Sequence, residues 1–482
     1  MSKHVEQLLD QMTLAEQVSL LGGRNMWNTV PNDRIGLEKM RVSDGPGGVR
    51  GSKFDGPASM NVPCGTAIAA SWDTALVRDI GELLGREVVA KGARVHLAPT
   101  INLHRTPVGG RNFECMSEDP YLTAITAREY VLGVQSQGVA SCIKHFVGND
   151  TEFERMTIDS QIDERTLREM YLLPFEHAVR DAQVMSIMTS YNRINGPYAA
   201  DSTWLLRDVL RGEWKFDGMV VSDWFGLHST VEGVVAGLDL EMPGPTLHRG
   251  EALVAAVERG EVSADLVRDC ARNILNLMER TGGTGVPPGP EISRTDADDM
   301  ATLRRASSSA MVLLRNESIG GTAVLPLDVR GLTSIAVLGP NASRGMVQGG
   351  GSAHVTPTRV SHPLDAITER FGSSVRIEHS AGCNINKKLP ELDARLVQNV
   401  SLDYYRNPAE LDDSSAVPAE AGTTGVFRLL WAGDPLNRRE PNFAFGARLA
   451  AQLTPDQTGE WVFSIESVAP VRIIIDGAIV LD

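Results

Sequence analysis

Four short apolar runs each end in polar residues of types that bind or react. VHLAPTINL (95–103) delivers Asn102, then His104 and Arg105, and a few residues on Arg111. VASCIKHF (139–146) carries Lys144 and His145, VMSIMTSYN (184–192) ends on Tyr191 and Asn192, and MVVSDW (219–224) ends on Asp223 and Trp224. A fifth stretch, VSDGPGGVR (42–50), sets Asp44 and Arg50 around glycines that let a backbone approach a ligand closely. A neutral polyol is held by carboxylates that accept from its paired hydroxyls and by Lys, Arg or His donating to others. Trp224 offers an apolar wall to the C–H face of a sugar ring. Asp223, closing a Val-Val run, has the type and place of a nucleophile or base.

Structural uses compete for the same residues. Asp44 also suits an Asx-turn, and Arg111 also reaches Glu114 or Glu118 as an ion pair. His145 fits a hydrogen-bonded core histidine as well as a ligand, Trp224 fits a core filler, and Asp223 fits a helix N-cap. Met188, within its apolar run, reads as core. Lys144 is the hardest to explain as solvated surface, because it closes an apolar strand. No Gly-x-x-x-x-Gly-Lys loop and no post-strand Gly-x-Gly-x-x-Gly occurs, so no nucleotide cofactor is expected; the Gly349–Gly351 run is a loop signal.

These residues need a scaffold that gathers strand ends. The four runs start at 95, 139, 184 and 219, and amphipathic helical patterns such as Pro120–Gln135 and Glu164–Asp181 lie between them. That pace is the pace of successive βα units with right-handed crossovers. A fifth strand is expected at Ala236–Met242. A parallel α/β barrel, whose active site lies at the carboxyl ends of its strands, accounts for this better than a doubly wound open sheet. A Gly/Pro-rich linker, TGGTGVPPGP, begins at Thr281, so the barrel spans 1–280 and the linker 281–295. Residues 296–397 begin a second α/β domain, with a helix at Asp296–Asn316, a strand at Ser334–Gly339, a helix at Pro363–Phe371 and a strand at Ser374–Glu378. Residues 398–482 alternate as β-strands, at Gly425–Trp431, Phe445–Leu453, Glu460–Ser467 and Val471–Ile475. The final AIVLD reads as a strand with no partner.

Composition narrows the function classes. Lys and Arg number 46 against 61 Asp and Glu, a formal charge of −15 with no local basic patch, which argues against a nucleic-acid partner. No apolar run approaches the roughly 18 residues of a membrane span. Five dispersed cysteines give neither a disulfide framework nor metal-ligand spacing, so no metal is expected. The first residues lack the pattern of a secretory signal, and a cytoplasmic location is the expectation. Oligomeric state is not legible.

Six segments together resemble glycoside hydrolase family 3, and specifically its β-glucosidase branch. They are SDGPGGVRG (43–51), HRTPVGGRNFECMSEDPYL (104–122), KHFVGND (144–150), DERTLREMYLLPFEHAV (163–179), MTSYNRING (188–196) and DGMVVSDWFG (217–226). The resemblance implies a (β/α)8 TIM-like barrel, then an incomplete α/β sandwich interrupted by a partial protective-antigen-type β-sandwich module. It implies Asp223 as nucleophile and Asp44, Arg50, Arg111, Lys144, His145 and Tyr191 as the sugar subsite. Met188 and Trp224 would line that subsite, and Ser352 in the GGGSA loop is a further binding candidate. The implied reaction is retaining hydrolysis of terminal β-D-glucosyl residues of short oligosaccharides or aryl glucosides through a glucosyl-enzyme. The family's acid/base Glu lies beyond the inserted module. It is therefore expected past Asp482, in a longer gene product, and neither Glu114 nor Glu241 is assigned that role. KHF continuing as VGND argues against the N-acetylglucosaminidase branch. A β-xylosidase and a sugar-binding inactive fragment stay open as alternatives.

Overall fold

The computed structural model describes the chain except residues 1, 55, 384, 386–388, 390, 426, 428, 430, 432–434 and 437–443. Two compact units divide it, Met1–Ser380 and Ala381–Asp482.

In the first unit, β1 (Val42–Ser43), β2 (Val95–His96), β3 (Ala140–Phe146), β4 (Ser186–Thr189) and β5 (Met219–Val221) form one parallel sheet in chain order. Every position of β3 and β4 is buried, which is why these segments read as continuous apolar runs rather than alternating ones. The sheet curls, and irregular segments link its edges. Val221 bridges Leu240 in parallel, Gly23 N donates to Glu241 O at 2.9 Å, and Arg24 N donates to Asn28 O at 2.8 Å. Val42 N then donates to Trp27 O at 2.9 Å, which returns the chain of hydrogen bonds to β1. The architecture is mixed α/β around a curled parallel sheet, as the strand spacing predicts.

Helices α1 (Thr74–Ala90) and α2 (Pro120–Gln135) cover the outside, each started by an aspartate whose side chain accepts a backbone N–H (Asp73 from Leu76, Asp119 from Leu122). They cross at glycines. A Cβ on Gly133 would lie 2.9 Å from Gly81 Cα and 2.9 Å from Glu82 N, so the backbones touch there.

Several expectations are corrected. The 95–103 run is ladder-paired as a strand only at its start, and Pro99 within it has no N–H to donate. Its later residues still track β3, with Ile101 N donating to Lys144 O at 2.8 Å. Ala236–Met242 forms no named strand, because Ala236 closes a helix (Val231–Ala236) and only isolated bridges follow. The helical stretch at 164–181 widens into a π-turn at Leu167–Tyr171, just ahead of Pro174, which cannot donate to the preceding turn. The helix expected at 296–316 covers Ala297–Ser309, ending in a run of serines.

Also in this unit, β6 (Ser334–Leu338) and β7 (Arg376–Ser380) pair in parallel across the helix Pro363–Phe371, a βαβ unit at the expected places. In the second unit, β8 (Val397–Tyr405) lies between β9 (Glu420–Gly422) and β10 (Gly446–Leu453), antiparallel to both. The chain's last strand is not left unpaired: β11 (Ile473–Ile475) and β12 (Ala478–Leu481) form a hairpin. Its turn residues Asp476 and Gly477 both have positive φ, as a two-residue turn of this hand requires. Of the strand expected at Gly425–Trp431, residues 426, 428 and 430 lie outside the described residues, and 425, 427, 429 and 431 are in no strand. Glu460–Ser467 is not a strand; among the described residues no strand pairs with it, and Val462 is exposed. Among the described residues no helix is long and apolar enough to cross a membrane.

The α1–α2 crossing gives a stability test. Gly133→Ala forces a methyl into backbone contact and is expected to cost about 1–3 kcal/mol, read as a lower urea midpoint. An unchanged midpoint would mean that the helices do not approach this closely in solution.

Candidate active site

The parallel register of β1, β2 and β3 brings their carboxyl ends side by side, and the first polar contact follows from that. Lys144 Nζ donates to Asp44 Oδ1 at 2.6 Å, and Gly45 N donates to the same oxygen at 2.8 Å. Both side chains are buried, so each charge depends on the other. Burial works against the Asp44 carboxylate, but Lys144 and Arg50 outweigh it and hold its pKa below the usual range. His96, closing β2, contacts Gly45 O through Nε2 at 2.8 Å, and burial brings its pKa down to about 4, so the ring is neutral.

Arg50 lies between two rings, with its guanidinium carbon 4.6 Å from the Trp27 centroid and 4.2 Å from that of Phe54. Its Nη1 donates to the Ser352 carbonyl, while Nε and Nη2 are buried without partners. Ser352 thus meets the site through its backbone; the residue itself is exposed.

A second group forms where β5 ends. Asp223 Oδ1 accepts from Trp224 N at 2.7 Å, whereas Oδ2 is buried with no hydrogen-bond partner. Burial raises the Asp223 pKa, and Arg111 and Lys144 oppose that rise. His145 Nε2 faces Oδ2 at 3.4 Å. Burial, then Arg111, Lys144 and Arg155, push the His145 pKa well below its usual value, so the ring is neutral. Tyr191 is buried beside them, its phenol pKa raised first by burial and then by Asp223. Gly226 permits this closeness, since a Cβ there would meet Asp223 O at 3.1 Å and Tyr191 Cδ1 at 3.2 Å.

The remaining predicted residues take differing places. Arg111 pairs with Glu114, Nε to Oε1 at 2.5 Å and Nη2 to Oε2 at 3.1 Å, so it forms a structural ion pair while staying within electrostatic reach of Asp223. Trp224 donates from Nε1 to Met26 O at 3.1 Å and packs on Trp27 at 5.4 Å between centroids. Met188 is buried in the apolar cluster against which Trp27 and Trp224 pack. Glu114 is held by Arg111 and by Thr100 Oγ1 at 2.9 Å. Glu241 accepts from the backbone N–H groups of Leu247, His248 and Arg249, and so it folds the loop after it. Asp150 accepts from Leu103 N at 2.8 Å, and burial raises its pKa to about 6 against that bond and Arg105.

No motif spacing in the sequence points to Trp27, Phe54 or His96. Asn102 reads in the sequence as a polar strand end and no more. Its contacts with His145 are close: Oδ1 accepts from His145 N at 2.9 Å, and Nδ2 donates to His145 O at 3.0 Å. Among the described residues no cluster of His, Cys, Asp and Glu could hold a metal ion.

Residues 4–277 match the Glycosyl hydrolase family 3 N terminal domain, and residues 311–473 match the Glycosyl hydrolase family 3 C-terminal domain. The chain is 44% identical over 482 residues to a protein named "Beta-glucosidase" from Rhizobium radiobacter, covering 99% of this chain and 57% of that one. It is 38% identical over 485 residues to "Probable beta-glucosidase K" of Emericella nidulans, with coverage of 99% and 57%. Among solved structures, the β-glucosidase from Kluyveromyces marxianus in complex with glucose is similar at a TM-score of 0.80 and 37% identity, over 88% of this chain and 52% of that one. The β-glucosidase 3B from Thermotoga neapolitana in complex with glucose gives 0.70 and 34%, over 78% and 55%. The chain spans a little over half the length of the curated relatives it matches.

Two measurements follow from these electrostatics. Lys144→Ala strands a buried carboxylate and is expected to cost about 3–5 kcal/mol of unfolding free energy, while the double variant with Asp44→Asn loses less than the two single losses combined. Strict additivity would show that the pair is hydrated. For Asp150, the folded state binds its proton more tightly than the unfolded state, so its contribution is full below the ordinary carboxyl pKa and is lost as pH rises from about 4 to about 6. Asp150→Asn is therefore expected to gain stability relative to the parent as pH rises across that interval. Parallel pH profiles of the urea midpoint would contradict the assignment.

Proposed function

The chain belongs to glycosyl hydrolase family 3, and from that premise we propose that it is a retaining β-glucosidase acting through Asp223. Its substrates are terminal non-reducing β-D-glucosyl residues of short oligosaccharides or aryl glucosides. The observation that carries the reading is the Asp223 carboxylate itself. One oxygen is fixed by the Trp224 N–H, and the other is buried, unpartnered and faced by a neutral histidine. A carboxylate held this way is oriented but not neutralised, as an attacking group must be. The relatives named β-glucosidase, and the two solved with glucose bound, support the sugar class.

In this mechanism Asp223 attacks the anomeric carbon, the aglycone oxygen leaves, and water then hydrolyses the glucosyl-enzyme. Asp44, Lys144, Arg50, His145 and Tyr191 hold the glucosyl hydroxyls, with Trp224 against the ring and Met188 behind it. Arg111 steadies the Asp223 charge, and the Ser352 segment closes over Arg50. The leaving-group acid is assigned to neither Glu114 nor Glu241, because each carboxylate is already committed to its own partners. We read residues 1–280 as a (β/α)8-type barrel, a reading supported by the hydrogen bonds that link the two edges of the curled sheet. Residues 398–482 are read as part of a protective-antigen-type β module, supported by the antiparallel pairing of β8 with β9 and β10.

The test is a dinitrophenyl 2-deoxy-2-fluoro-β-glucoside, whose leaving group departs without protonation and whose glycosyl-enzyme is slow to hydrolyse. Intact mass is expected to show one glycosyl adduct per chain, and peptide mapping to place it on the peptide containing Asp223. Asp223→Asn is expected to fold with a melting temperature no lower than the parent's and to lose at least about 10³-fold in dinitrophenolate release. An adduct on another carboxylate, or no adduct on cooperatively folded protein, would overturn the proposal.

A further inference from the structure

His145 has two possible neutral tautomers, and its surroundings permit one. Asn102 Oδ1 accepts from the His145 backbone N–H at 2.9 Å, and Asn102 Nδ2 donates to the His145 backbone carbonyl at 3.0 Å. A backbone N–H can only donate and a carbonyl can only accept, so these two contacts fix which end of the Asn102 amide is oxygen. That same oxygen lies 3.1 Å from His145 Nδ1. An amide oxygen cannot donate. Nδ1 must therefore carry the ring proton, and Nε2 keeps its lone pair.

The consequence appears on the other side of the ring. Nε2 lies 3.4 Å from Asp223 Oδ2, out of hydrogen-bond alignment with it, and that oxygen is buried without a hydrogen-bond partner. Two acceptors thus lie close together, with the Tyr191 phenol the protein's own donor beside Asp223. Such a place is unfavourable until a donor enters it, since an unpartnered buried acceptor costs about 1–3 kcal/mol. In a sugar attacked at its anomeric carbon, the nearest donor to the nucleophile's second oxygen is the hydroxyl on the neighbouring carbon, the 2-hydroxyl.

We propose that Asn102 is a positioning residue that holds His145 in the Nδ1–H tautomer, so that Nε2 and Asp223 Oδ2 together form an acceptor pair for the substrate's 2-hydroxyl. The opposite tautomer would turn Nε2 into a donor and leave Oδ2 as the lone acceptor of the two. The site would then select for a donor at carbon 2 and against groups that only accept. The groups facing His145 agree with a neutral ring. Asp223 is an anion beside it, and Arg111, Lys144 and Arg155 all disfavour a second positive charge there, as burial does.

This inference rests on the site reading above, and the experiment separates the two. Histidine-¹⁵N-labelled protein reports the tautomer without any turnover. The expected result is an Nδ1–H, bare-Nε2 signal for His145, assigned by its change in Asn102→Ala; an Nε2–H signal would overturn the proposal even if the enzyme were active. The second measurement compares kcat/KM for release of dinitrophenolate from the β-glucoside and from its 2-fluoro analogue. The inductive effect of fluorine is common to both proteins and cancels between them. Asn102→Ala is expected to shrink the hydroxyl-to-fluorine ratio about tenfold relative to the parent, whereas a purely structural loss would slow both substrates equally and leave the ratio unchanged. Asn102→Asp puts a carboxylate on Nδ1, favours the imidazolium, and is expected to move the acidic limb of the kcat/KM profile to higher pH by about one unit. An unchanged ratio with an unchanged acidic limb would overturn the role of Asn102 while leaving Asp223 as nucleophile. Absence of release from the parent protein, with the Nδ1–H tautomer observed, would instead overturn the glucosidase reading and the substrate role drawn from it.

Discussion

A lysine ammonium buried against an aspartate carboxylate is the constraint around which the rest of the site is arranged. Lys144 and Asp44 come from strand ends one strand apart, and they meet only if β1, β2 and β3 run parallel and in register. Burying either charge alone would cost several kcal/mol, so the pair penalises a slipped register as well as a missing partner. β2 lies between them and contributes His96, whose neutral ring adds no charge to the pair and binds the Gly45 carbonyl, which fixes the turn that carries Asp44.

Charge is then distributed unevenly along the strand ends. Asp44 is held ionised below its usual range, whereas Asp223 is pushed upward by burial, although both are buried carboxylates near the same lysine. The difference is contact. Asp44 has Lys144 at 2.6 Å, while Asp223 feels Arg111 and Lys144 without a direct hydrogen bond from either. Arg111 gives Nε and Nη2 to Glu114 and acts on the Asp223 charge without tying up its free oxygen. One carboxylate is thereby suited to holding a ligand's hydroxyl and the other to forming a bond.

How much of this was legible depended on how local the cause was. The strand-end residues could be read because strands buried on both faces give unbroken apolar runs, and the polar residue that ends such a run stands out, as Lys144 and Asp223 do. Helix bounds were legible where a cap marks them, as at Asp119-Pro120. What could not be read was set by distant partners. Nothing in the neighbourhood of Arg50 announces that Trp27 and Phe54 enclose it, and the choice of Glu114 over Glu118 for Arg111 depends on a short turn at Asn112–Glu114. The segment at Glu460–Ser467 has strand composition but no neighbouring strand among the described residues, and composition alone does not supply a ladder.

The unsatisfied atoms of the site separate binding from folding. Arg50 Nη2 and Asp223 Oδ2 are both buried and unpartnered, at a cost of about 1–3 kcal/mol each, and more where the group is charged. A fold under selection for stability alone would cap both, and the means are close by, since Tyr191 borders Asp223 and the Ser352 loop already reaches Arg50. Instead both stay open, while Glu114 is committed to Thr100 and Arg111, and Glu241 to the N–H groups of residues 247–249. Each supporting contact therefore orients a reactive side chain and leaves one of its polar atoms open. A hydroxyl-bearing ligand recovers that cost on binding, and an apolar one does not. The same arrangement that weakens the empty site is what makes it discriminate.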